Sequence, residues 1–385
     1  MADQKCHFIK LVTKVGEESP LLDLARLRIN AAKGLRTAIQ LDANVLINIL
    51  EHQSDTERQP GYEKLVHWGL FEFVELVFLC NQNRIPVSIH PGIALTEVHG
   101  EPAQIRKDYD AFWAAYEIDL LDDPANVPLK NRNETSVPSH LANCGFFRLT
   151  SDEQKLRACS FVSLLAMLIV DNDQSLQSPV SRIQRYLDLM LEFVGVFSIK
   201  ETMIACLVLG DLVDRATAKG YSVGNDGAEF YSSVLKNFAR RRQGRKPLGR
   251  RPRNSPEVFH LAFNAANDLA QINVGLVMEG RGLDEERWDL WFCTMDAKLT
   301  RFLGALSYKK LVPGQAGMFA EIGLPSGIAR HPDLVAQEAM VFARKFSGPK
   351  RTIPQLSSDI WLVKAEQIVL LAERAFPPGG NIASD

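Results

Sequence analysis

Four acidic residues stand where an acid needs a reason. Thr37-Ala-Ile-Gln-Leu-Asp42-Ala-Asn44-Val-Leu-Ile is a short apolar, strand-like run that ends in an acid. It passes straight into a helical pattern whose buried face is Val45, Leu46, Ile49 and Leu50. Far downstream, Asp289-Leu-Trp-Phe-Cys-Thr294-Met-Asp296-Ala-Lys-Leu repeats the same order of apolar strand, acid and amphipathic helix. Between them, Ile89-His-Pro-Gly-Ile-Ala-Leu-Thr-Glu97 and Phe263-Asn-Ala-Ala-Asn267-Asp268 each set one acid in a small, apolar, helical surround. In open parallel sheets, ligands gather outside the carboxyl ends of the strands. Carboxylates held together there repel, and a hard divalent cation such as Mg2+ or Mn2+ is the natural compensation. Such an ion activates water and neutralises charge on a phosphodiester under in-line attack. Taken alone, Leu-Asp42-Ala-Asn44 reads equally well as a helix N-cap, the position Asp and Asn prefer.

The set is more specific than its members. Leu-Asp42-Ala-Asn44-Val-Leu-Ile, the lone Glu97, Asn267-Asp268 and Phe-Cys-Thr294-Met-Asp296 resemble, in order and type, the four acidic motifs of PIN-domain nucleases, the PilT N-terminus fold. The resemblance covers residues 36–100 and 255–315. It implies an α/β fold, a PIN-like parallel sheet flanked by helices. It also implies a metal-dependent endonuclease, a ribonuclease more than a deoxyribonuclease. Asp42, Glu97, Asp268 and Asp296 would be both metal ligands and catalytic residues, and Asn44 and Thr294 would orient ligands or substrate. The alternative is a catalytically inactive PIN-like module that binds nucleic acid or protein, since a fold does not fix an activity. Four repelling acids in one pocket have no purpose in such a module. A third reading makes the helical insertion described below the working part and the core its support.

Other chemistries find little support. The chain has no Gly-x-x-x-x-Gly-Lys-Ser/Thr loop, Gly-x-Ser-x-Gly elbow or His-Glu-x-x-His helix. His90 and His99 flank the Glu97 motif, where a hydrogen-bonded structural role outweighs a general base. Trp288 and Trp291 read as core rather than a base-stacking platform. Asp171, Asp173, Asp211 and Asp214 read as solvated positions rather than metal ligands.

The elements around these motifs divide 385 residues into more than one unit. Residues 1–35 form an N-terminal extension with an edge strand at 7–14 and a capped amphipathic helix within 19–35. The PIN-like core occupies 36–100, with one largely buried helix over 62–83, a second strand at Pro86–His90 and a helix carrying Glu97. Residues 101–235 read as an all-helical insertion with apolar helices at 153–171, 180–197 and 201–218, a surface for a second copy or a protein partner. The core resumes at 255–315, ending in a last strand at Tyr308–Pro313, and 316–385 form a helical C-terminal tail. Cys6, Cys80, Cys144, Cys159, Cys206 and Cys293 show no Cys-x-x-Cys spacing and read as reduced, buried thiols. No leader is evident. The longest apolar run, Phe161 to Val170, is broken by Ser163 and falls short of the ~20 residues of a membrane span. The expectation is a cytoplasmic protein.

A formal net charge of −2 conceals a basic loop at 236–254. Within 236–253 lie nine basic residues and no acid, Arg240, Arg241, Arg242, Arg245, Lys246, Arg250, Arg251 and Arg253 among them, with Gly244, Pro247, Gly249 and Pro252 opposing a helix. Either this is a solvated linker or it binds nucleic acid, and its place before the Asp268 helix favours the second. If about four of these side chains touch phosphates of a single strand, log affinity falls against log salt with a slope near −3, from roughly −0.7 per contact. Replacing Arg240, Arg241, Arg242 and Arg245 by Ser then flattens the slope in a fluorescence-anisotropy titration. Equal slopes for the two proteins mark the segment as a tether.

Overall fold

A computed structural model describes residues 5–10, 21–98, 101–120, 141, 144–193, 199–211, 224–239, 252–281, 288–305, 307–313, 318–323 and 358–377. The chain divides into two compact units, one of residues 1–131 and 271–323 and the other of residues 132–270 and 324–385.

The first unit is α/β. Its strands β1 (His7–Lys10), β2 (Arg36–Leu41), β3 (Val87–His90) and β4 (Trp288–Thr294) form one mixed sheet in the order β1-β4-β2-β3. β2 is parallel to both β3 and β4, and β1 is antiparallel to β4 at the edge, as its sequence anticipated. Central parallel strands are covered on both faces, and from Thr37 to Leu41 every residue of β2 is buried. On one face Ile39, Leu41, Ile89, Trp291 and Cys293 join Val45, Leu46 and Ile49 of α2 (Ala43–Ser54) in a single core. The alternation of the pleat puts Ala38, Gln40, Ser88 and Phe292 on the other face.

The first helix, α1 (Leu24–Ala32), is capped by Asp23, whose carboxylate accepts from the amide of Arg26 at 2.8 Å. The 62–83 stretch is two helices, not one: α3 (Tyr62–His67) and α4 (Phe71–Gln82). Between them Gly69 takes φ +66, and Leu70 N–H reaches back to Leu65 O at 2.9 Å, the left-handed glycine ending of a helix. Beyond β3 lie a 3-10 turn (Ala94–Thr96) and α5 (Pro102–Ala115).

The second unit is helical, with α6 (Ser151–Asn172), α7 (Pro179–Phe193), α8 (Ile199–Gly210) and α9 (Gly224–Val234). Thr150 and Glu153 cap α6 reciprocally, the Glu153 amide donating to Thr150 Oγ1 and the Thr150 amide to Glu153 Oε2. The long helix α10 (Ser255–Arg281) begins in this unit, and α11 (Ala297–Ala305) follows β4 in the first. Strand β5 (Ser307–Pro313) does not complete the main sheet. It pairs antiparallel with β6 (Met318–Gly323) in a separate two-stranded sheet, because two strand-like runs flank a Pro-Gly turn signal. The C-terminal α12 (Ser358–Ala375) packs on α6 and α7, so the helical tail shares a unit with the insertion. All six cysteines are free thiols. No helix among the described residues is long and apolar enough to cross a membrane.

One polar cluster fixes the start of β4. Asp289 is buried, yet it accepts from Lys10 Nζ at 2.7 Å, Asn30 Nδ2 at 2.6 Å, Trp291 Nε1 at 2.9 Å and Arg26 Nε at 3.4 Å. Burial alone would raise its carboxyl; Lys10, Trp291 and Arg26 outweigh that and hold it below the ordinary carboxylate value. The stability this contributes is present above that ordinary value and is lost as pH falls through the depressed one. Asp289→Ala removes the carboxylate that faces Lys10, a loss of about 3–5 kcal/mol expected as an earlier urea transition. The double variant Lys10→Met, Asp289→Ala should recover part of it, and equal loss in both proteins would show that the ion pair is not the cause.

Candidate functional site

Asp42 follows directly from β2. Its backbone stays extended (φ −75, ψ 153) and its amide donates to Cys293 O at 2.9 Å, so the ladder with β4 runs one residue past the strand. Asp42 stands at the N-cap of α2, but its side chain makes no capping bond to that helix. This resolves the ambiguity of the motif. The carboxylate is turned instead to Thr294 Oγ1, which donates to Oδ2 at 2.5 Å, and to Asn44 Nδ2, which donates to the same oxygen at 3.2 Å.

Thr294 ends β4 and is fully buried. While its hydroxyl donates to Asp42, its oxygen accepts the backbone amide of Asp296 at 2.9 Å. One hydroxyl therefore ties the first acid to the turn that carries the second. Asp296 caps α11, its Oδ1 accepting from the amides of Lys298 at 2.7 Å and Leu299 at 3.2 Å. Oδ1 of Asp42 and Oδ2 of Asp296 accept none of these bonds.

Asp42 is only 3% exposed. Burial pushes its carboxyl above the ordinary value, hydrogen bonds from Thr294 and Asn44 pull it back, and the charge of Asp296 pushes it up again. The net direction is upward. Two neighbouring acids, one desolvated and neither paired with a basic side chain by any hydrogen bond described above, form a site at the carboxyl ends of adjacent parallel strands.

The other expected residues fall differently. Glu97 is half-buried just past β3, at the end of a 3-10 turn rather than on an α-helix. It does not join Asp42 and Asp296 in a cluster, because no three His, Cys, Asp or Glu side chains among the described residues are placed to hold a metal ion. Asp268 belongs to the second unit, half-buried on α10. The residue before it, Asn267, is wholly buried and accepts a hydrogen bond from Arg157 Nε. His90 sets its ring edge-on to Trp288 at 5.9 Å, and His99 lies outside the described residues.

Trp291 is core as expected, whereas Trp288 is half-buried under the Arg36 guanidinium at 5.5 Å. In the second unit Asp211 is paired with Arg182 at 2.5 Å and Asp173 folds onto Ser175. Asp214 lies outside the described residues. So do Arg240, Arg241, Arg242, Arg245, Lys246, Arg250 and Arg251. Arg253 is described, and its backbone amide donates to Glu257 at 3.0 Å.

Two polar residues near the acids escaped the sequence reading. Asn48, one turn beyond Asn44 on α2, donates to Trp68 O at 2.9 Å and to the Met295 sulfur at 3.0 Å, bracing the turn between Thr294 and Asp296. Gln40 is a buried amide set between Ile39 and Leu41 in β2. That isolated polar residue, two positions before Asp42 and so on the same face, was the available signal. No protein family, curated protein or solved structure matches this chain.

The desolvated carboxylate makes a stability prediction. A buried acid whose pKa is raised by folding stabilises the fold fully below its ordinary value and loses that contribution as pH rises through the raised one. In metal-free buffer at pH 7, Asp42→Asn should therefore melt above the wild type, with the gap closing as the pH is lowered towards ~4. A variant that melts lower at pH 7 would show that the charge is compensated by the protein.

Proposed function

We propose that the first unit is a PIN-like, metal-dependent nuclease that hydrolyses phosphodiester bonds through Asp42 and Asp296. The observation that carries this reading is the placement of the two acids, just past the carboxyl ends of neighbouring parallel strands and joined through one threonine hydroxyl. The donor set suits the cation. Mg2+ is commonly held by one or two carboxylates and completed by waters and substrate phosphates. Asp42 Oδ1 and Asp296 Oδ2 would hold Mg2+ or Mn2+. When bound, such an ion supplies Lewis-acid charge that polarises the phosphodiester and favours ionisation of attacking water.

The residues of the chain do the positioning. Thr294 fixes the rotation of the Asp42 carboxylate and the register of the Asp296 turn together. Asn44, exposed at the start of α2, holds Asp42 from the solvent side and orients substrate. The resemblance to PIN nucleases implies a metal role for Glu97 and Asp268 as well, but this reading rests on Asp42 and Asp296 alone. RNA is the preferred polymer on that resemblance, and the basic loop is its phosphate-binding arm. A second reading, an inactive binding module, is favoured by the gathering of just two acids among the described residues.

Titration calorimetry with Mn2+ and cleavage of single-stranded RNA separate the two readings. The nuclease reading expects Mn2+ binding by the wild type and its loss in Asp42→Asn and Asp296→Asn. Cleavage should fall in both by more than the ~10- to 100-fold typical of removing a group that supports a metal ligand. Thr294→Val, which leaves both acids in place, should fall within that range. RNA cut at the wild-type rate by Asp42→Asn sinks the assignment, and a wild type that binds RNA without Mn2+ or cleavage supports the binding module.

A further inference from the structure

Gln40 is 4% exposed, and its side-chain Oε1 is buried without a hydrogen-bond partner. An unmade bond of this kind is costly, and an apolar residue at the same position of β2 would avoid it. Its place in the sheet suggests what the amide is for. Gln40 is paired with His90 on β3 and Phe292 on β4, so the three share a face. Two residues on, the still-extended Asp42 points to that face again, beside Thr294, as their hydrogen bond requires. Gln40 thus forms the row directly beneath the acid pair, roughly 6.6 Å along the strand from Asp42.

We infer that Gln40 is a specificity-determining residue of the acidic site, its Oε1 accepting a hydrogen bond from the ribose 2′-hydroxyl next to the scissile phosphate. The inference rests on the nuclease reading and adds the polymer discrimination that the carboxylates themselves lack. An orphaned acceptor needs a donor. Near a phosphodiester a nucleotide offers donors on the sugar and on the base edge. The 2′-hydroxyl sits on the carbon adjacent to the one bearing the 3′-phosphate, within the reach of a residue one row from the acids, whereas the base projects away from the backbone. DNA lacks this donor, and against DNA the Gln40 oxygen stays unpaired. The 2′-hydroxyl is the group by which proteins distinguish the two polymers at a given site.

The test uses the full-length protein with Ca2+ in place of Mg2+, and a labelled single-stranded RNA with its 2′-deoxy counterpart. Wild type should bind RNA about tenfold more tightly than DNA, the equivalent of one neutral hydrogen bond. Gln40→Met, unbranched and of similar length, should reduce that ratio to about one by weakening RNA binding. Its melting temperature should equal or exceed that of the wild type, since an unpaired buried amide is gone. Gln40→Leu provides the same comparison if the Met variant does not fold. An unchanged ratio in a folded variant overturns the role of Gln40 and leaves the nuclease reading intact. Equal weakening of RNA and DNA overturns the 2′-hydroxyl assignment. A wild type that neither binds Mn2+ nor cuts either polymer overturns the nuclease reading and this inference with it.

Discussion

The geometry of the acidic site depends on one hydroxyl. Thr294 gives its proton to Asp42, 252 positions away, and takes the amide proton of Asp296, so a single atom holds the two acids in a fixed relation. The arrangement is possible because the Asp42 amide continues the β2–β4 ladder onto Cys293 O. That bond brings the two strand ends level. A strand pair ending one residue out of step would turn Thr294 to the opposite face, since side chains alternate along a strand.

The two ends of β4 treat buried charge in opposite ways. At its start Asp289 is surrounded by Lys10, Arg26, Asn30 and Trp291, and the carboxyl is held below its ordinary value. Beyond its end Asp42 and Asp296 adjoin one another, and the Asp42 carboxyl is held above. The fold can evidently neutralise an internal acid with its own side chains. It does so at one end of β4 and leaves two acids side by side at the other, and this difference in surroundings drives the two carboxyls in opposite directions.

Much of this was legible in the sequence for a local reason. A strand run interrupted by an acid and followed by helical periodicity is contained in a dozen residues, and both Asp42 and Asp296 fell where that pattern places them. The edge strand at β1 and the helices of the second unit were equally local. What escaped depended on distant partners or on backbone sign. Gly69 divides one hydrophobic stretch into α3 and α4 through a positive φ that periodicity does not register. Asp289 reads as the first residue of an apolar strand until Lys10 and Asn30 are placed beside it. Residues 307–313 and 318–323 read as a core strand and part of a helical tail, but pair with each other. Asp268 sits in a motif context like the other acids, yet the chain assigns it to the helical unit, a division that no window of sequence contains.

The order of the strands has a consequence for how the chain is made. β4 lies between β1 and β2, yet it is synthesised after all three of the other strands and after most of the helical unit. Lys10 meets the carboxylate of Asp289 only when β4 has been made. Until then, on the ribosome, β1 has no neighbour in its sheet and β2 exposes an open apolar edge, the kind of surface that recruits chaperones or strays into aggregation. The sheet closes by late insertion of its central strand, and the same step delivers Thr294 and Asp296 to Asp42. In a nascent chain, completion of the four-stranded sheet and assembly of the acid pair are one event.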